Sequence, residues 1–166
     1  MEKIFSKEIL ELLIDDFQIK TEVYGTHFSG KRLRIDAILK PKDTSKWKNK
    51  NISIGIEFKS KEKLDGIKHT THWIKQCIDY ANTKWDNHGY IYVFSCPSIL
   101  DENNDKIYWN KILSDLGVGR LGYTKYYGWT FYLQDNHRIW SQKDGVIEGK
   151  KWSLLRKFGR DSFKNI

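Results

Sequence analysis

The chain has 166 residues and a formal net charge of +8, from 29 Lys and Arg against 21 Asp and Glu. Aromatic residues make up 14% of it, with seven Trp, which excludes a disordered basic tail and predicts one folded domain with its own core. A folded, cationic, aromatic-rich domain favours a polyanionic partner, nucleic acid first among them.

Residues 6–17 read as a helix, with Ser6 as N-cap and Ile9, Leu10, Leu13, Ile14 and Phe17 on its apolar side. Strands are predicted at 20–28, 32–39 and 52–59; the last two are joined by a lysine-rich loop and expected to form an antiparallel hairpin. Residues 70–86 read as a strong helix. On it Ile74, Cys77, Ile78, Ala81 and Trp85 share one sector, and His69, His72, Gln76 and Tyr80 the opposite one. The nearly continuous apolar run at 89–96 predicts a strand buried on both faces. A weaker helix is expected over about 106–116, then strands at 121–127, 129–133 and 137–141, then a basic end. The order predicts an α/β or α+β fold with a mixed central sheet flanked by helices, a core over about 6–125, and an extra hairpin and tail over 126–166.

Cys77 and Cys96 are too few for a disulfide framework or a zinc site and suggest a reducing, cytoplasmic setting. The longest apolar run, Tyr90 to Phe94, is far short of the roughly 20 residues of a membrane span. No signal peptide is predicted at MEKIFSKEIL.

The chemistry concentrates between Asp36 and Tyr80. Glu57 and Lys59 share one face of a strand by period two, with Phe58 on the other, and Asp36 lies on the preceding strand. If those strands pair, two carboxylates converge and repel unless a cation joins them, and oxygen ligands suit Mg2+ or Mn2+. A lysine beside that ion completes the minimum for hydrolysis of a phosphodiester by water. A solvated strand face bearing charges is the competing reading.

Asp36, then Glu57-x-Lys59, then Gln76-x-x-x-Tyr80 resembles the PD-(D/E)xK nuclease superfamily, and the glutamine–tyrosine element resembles its RecB-like branch. KRLRIDAIL and IGIEFKS look like its two catalytic strands, and ILSDLGVGRLGY like the small-residue turn into a late strand. The resemblance implies a restriction-endonuclease-like core. It implies Mg2+ held by Asp36, Glu57, the carbonyl of Phe58 and an acid of the first helix, Glu8 or next Glu11. Lys59 would activate or position water, Gln76 would organise the site or contact the DNA backbone, and Tyr80 would support it or touch phosphate. It further implies a DNA endonuclease or nickase leaving 5′-phosphate and 3′-hydroxyl ends. The alternatives are a non-catalytic DNA- or partner-binding module on the same fold and an exonuclease; the missing set of cluster-binding cysteines speaks against a helicase-coupled exonuclease.

Candidate DNA contacts are Arg32 and Arg34, which share strand parity with Asp36, then Lys42, Lys46 and Lys48 around a base-stacking Trp47, and Lys61 and His72. The late aromatics read as core, or as the surface of a homodimer.

Overall fold

A computed structural model describes residues 2–47, 49–59, 67–97, 112–113, 115–133 and 137–147. Their order is α1 (Glu2–Leu13), β1 (Phe17–His27), β2 (Arg32–Pro41), β3 (Ile54–Phe58), α2 (Ile67–Ala81), β4 (Thr83–Trp85), β5 (Tyr92–Cys96), β6 (Val118–Thr124), β7 (Gly128–Leu133), β8 (His137–Ser141) and β9 (Gly145–Val146). Much of the helix expected at 106–116, and the basic tail, lie outside the described residues. Ile112, Leu113 and Asp115 are helical.

Among the described residues all nine strands form one mixed sheet, in the order β4-β1-β2-β3-β5-β6-β7-β8-β9. Its centre, β3, β5 and β6, is parallel. Antiparallel strands extend it on both sides. The expected hairpin of β2 and β3 is present, with Ala37 opposite Ile56 and Leu39 opposite Ile54, and so is the late hairpin of β7 and β8. Every residue of β3 and β5 is buried, as expected for strands covered on both faces. Gly117, at φ 82°, makes the turn into β6.

Each face carries its own core. On one, α2 packs Trp73, Cys77 and Ala81 against Ile35, Ile38, Val93 and Val118. On the other, Ile9 and Leu13 of α1 meet Leu39, Ile54, Ile56, Phe58, Phe94, Phe131 and Trp140. The sheet curls around this second core. Phe17 of β1 touches Trp140 of β8 edge-on, with ring centroids 4.9 Å apart, although five strands separate β1 from β8 in the sheet.

Three expected boundaries are corrected. The first helix runs from Glu2 to Leu13, so Ser6 lies inside it and is no N-cap, while Phe17 opens β1. Ile14 is 54% exposed. The second helix ends at Ala81. There Asn82 Nδ2 donates to the Ile78 carbonyl and Thr83 Oγ1 to that of Asp79, which satisfies the last turn. Trp85 falls on β4, yet it packs edge-on against Tyr80 at 5.3 Å in the same core. Tyr80 itself is 6% exposed, so it belongs to the buried side of α2, not to the solvent face.

Candidate active site

Glu57 is the penultimate residue of β3 and faces α2. One step beyond the Ala37–Ile56 pair, the register sets it opposite Asp36. Asp36 Oδ2 accepts the Phe58 amide at 2.8 Å, in a position where the neighbouring strand's carbonyl would ordinarily do so. The two carboxylates are therefore close, and Glu57 is 2% exposed.

Three side chains organise the pair. Lys59 Nζ donates to Glu57 Oε1 at 2.9 Å. Gln76 Nε2 donates to the same oxygen at 2.6 Å and to the Tyr80 hydroxyl at 2.8 Å. Tyr80 in turn donates to the Arg34 carbonyl at 2.6 Å. Gln76 and Tyr80 can act together because residues four apart share a helix face. The chain of bonds ties α2 to both β2 and β3.

Glu57 Oε2, by contrast, is buried without a hydrogen-bond partner. An unsatisfied buried carboxylate oxygen is costly. Burial, and then the Asp36 charge, push the Glu57 pKa up to about 8 against the opposing pull of Lys59. A proton or a cation at Oε2 relieves both effects. Among the described residues no group of three or more His, Cys, Asp or Glu side chains is arranged to hold a metal. The pair alone would leave most coordination positions to water, the habit of Mg2+ rather than of a soft metal.

Asp36 itself sits at a fault in β2. Leu33 and Ile35 pack on the α2 side, and so does Ile38, but Ala37 and Leu39 pack on the other. Alternation therefore breaks between Ile35 and Asp36. Across the ladder Glu22 takes φ 52°, and the pairing of Thr21 with Ala37 and of Val23 with Ile35 skips it. A positive φ is uncommon for glutamate and marks local strain.

This fault overturns the parity argument for two arginines. Arg32 and Arg34 face away from α2 and from Glu57, because Leu33 and Ile35 occupy that side. Arg32 makes a two-pronged pair with Asp86, at 2.7 and 3.0 Å, and Arg34 reaches Glu22 at 3.3 Å. Trp47 is a second correction: it is 2% exposed and part of the core under α1, not a base-stacking side chain. Lys42 and Lys46 stand at the opposite end of β3 from Lys59. They line a cleft of about 230 Å³ with Asp15, Asp16, Asp43 and Asp144, so carboxylates outnumber ammonium groups there. That cleft does not favour a polyanion.

Glu8 and Glu11 are exposed on α1, whose buried residues Ile9 and Leu13 join the core on the other face. The structure does not bring Glu8 to the acid pair. The Phe58 side chain is likewise buried in that opposite core, as its strand position requires. His72 is exposed one turn before Gln76. Lys48 and Lys61 lie outside the described residues. Both cysteines are buried, and burial raises their thiol pKa values, Cys96 to about 12, so neither is poised as a nucleophile.

Sequence reasoning missed Arg120. It is half-buried on β6, with its guanidinium carbon 4.2 Å from the centre of the Tyr132 ring. The signal was the pairing of β5 with β6, which no local periodicity reveals. Among the described residues no helix is long and apolar enough to cross a membrane.

No protein-family model, no curated protein and no solved structure matches the chain.

Proposed function

We propose that the protein is a metal-dependent DNA phosphodiesterase, an endonuclease or nickase on a restriction-endonuclease-like core, working in the cytoplasm. One observation carries the reading: Asp36 and Glu57 converge at the C-terminal end of a buried strand, and Glu57 Oε2 is buried without a hydrogen-bond partner while lysine and glutamine hold Oε1. A buried carboxylate held only for stability ordinarily has its oxygens satisfied.

In this reading Asp36 and Glu57, with the Phe58 carbonyl, hold Mg2+ or Mn2+. The ion, when bound, supplies Lewis-acid activation of water and of the phosphodiester. Lys59 keeps its proton on Nζ, neutralises one carboxylate oxygen and orients the attacking water. Gln76 fixes the Glu57 rotamer. Tyr80 fixes Gln76 and, through the Arg34 carbonyl, the strand that bears Asp36. The products are 5′-phosphate and 3′-hydroxyl ends.

Supercoiled plasmid incubated with Mg2+ or Mn2+ tests the proposal. Nicked or linear product is expected, and Asp36→Ala or Lys59→Ala should slow it by at least about 100-fold, the loss typical of a group that stabilises transition-state charge. Cutting by these variants at the wild-type rate sinks the reading. DNA binding without any cutting assigns the fold to a non-catalytic module instead, and a requirement for linear DNA assigns an exonuclease.

A further inference from the structure

The register of the parallel strands aligns a second cationic group with the acid pair. Glu57 on β3 is the partner of Ser95 on β5, and Ser95 is the partner of Arg120 on β6. Residues paired across a ladder share a face. Arg120 therefore lies on the α2 side of the sheet with Glu57, two strands away, a backbone separation of roughly 10 Å. A row Asp36–Glu57–Ser95–Arg120 thus crosses the sheet.

Two neighbours set the direction of the arginine. Tyr132, its partner on β7, stacks beneath the guanidinium at 4.2 Å. Gly122, two residues further along β6, leaves its path open: Nη1 lies 3.6 Å from where a Cβ on Gly122 would stand. The side chain thus runs toward the C-terminal end of β6. That is also the end at which parallel β3 delivers Lys59. Ligands of such sheets bind beyond the carboxyl ends of the parallel strands.

We infer that Arg120, stacked on Tyr132, is the phosphate-binding arm of the acid-pair site. The inference rests on the phosphodiesterase reading and adds the group that grips the substrate. A phosphodiester brings negative charge of its own, and Lys59 is already engaged at Glu57 Oε1. A guanidinium offers a planar fork that matches two phosphate oxygens, and a ring beneath it holds that fork in one plane. Lysines 42 and 46, at the far end of β3 among four aspartates, cannot serve this site.

The test pairs cleavage with binding. A short labelled DNA duplex is titrated with the protein over a salt series, with Ca2+ replacing Mg2+, and plasmid cleavage is measured in parallel. Arg120→Gln should cut about 100-fold more slowly and should lower the salt slope of binding by about one phosphate contact. Arg120→Lys keeps the charge and the packing but loses the fork. It should keep the slope and cut about tenfold more slowly, so it carries the test if Arg120→Gln fails to fold. Variants that match the wild type in rate and slope overturn the inference and leave the nuclease reading intact. A wild-type protein that never cuts, but whose slope still falls in Arg120→Gln, sinks the nuclease reading and keeps the phosphate arm. Absence of both cutting and binding ends both.

Discussion

Two ion pairs of nearly equal length sit on opposite faces of the same half of the sheet. Arg32 meets Asp86 at 2.7 Å with both side chains 51% exposed, and Lys59 meets Glu57 at 2.9 Å with exposures of 22% and 3%. In the first, each partner holds the other charged: the hydrogen bond raises the arginine pKa and lowers the aspartate's. In the second, burial and Asp36 outweigh the lysine, and Glu57 is pushed toward its neutral form. Distance is therefore a poor guide to what a charge pair does. Solvent access decides, because water screens the exposed pair and abandons the buried one.

The largest expected effect breaks the comparison at Glu57. Its carboxyl rises from 4.5 in the unfolded chain to about 8 in the fold. Below pH 4.5 it is protonated in both states. Between there and about 8 the unfolded chain releases the proton and the folded chain keeps it, so this group's contribution to stability falls as pH rises. Above about 8 the loss is complete, at most about 5 kcal/mol. Metal-free protein should thus melt at progressively lower temperature from pH 5 to 8. Glu57→Gln should flatten that slope, and Mn2+ should raise the melting temperature more at pH 8 than at pH 6, where it competes with the proton. A pH profile unchanged by Glu57→Gln would contradict the assignment.

Next comes Trp47, which carries the aromatic weight of a loop that by composition looks solvated. Trp47→Ala should cost about 3–5 kcal/mol in urea unfolding, as core truncations of large aromatics do. DNA affinity, measured well below the melting point, should be unchanged. Smallest is the exposed pair: Arg32→Ala and Asp86→Ala should each shift melting by no more than about 2 °C, less still in high salt.

The same contrast explains what could be read from the chain. Helix α2 was legible from its period and buried stripe, and β2 and β3 from their apolar, β-branched runs; Glu57, Lys59 and Gln76 inherited their positions from those elements. Tyr80 met the site through the edge of the stripe, not through the polar face. Asp36 was found, but its neighbours were misplaced, since a break in alternation at one residue reverses every inference made from parity beyond it. Trp47 carries no periodic signal at all in a loop of lysines. Trp85 satisfied the helical wheel because its ring enters the same core from a strand; the helix ends before it, where the Asn82 and Thr83 side chains cap the last turn. Arg120 depended on a parallel pairing between distant segments.

The contact of Phe17 with Trp140 has a kinetic consequence. It joins residues more than a hundred positions apart, so forming it requires closure of nearly the whole described chain. Such closures carry the entropy of long loops and make folding slow. The β2–β3 hairpin needs only the short connection between Pro41 and Ile54, and α2 is the next described element in the chain. Refolding should therefore assemble the acid pair first and draw the sheet into its curl last.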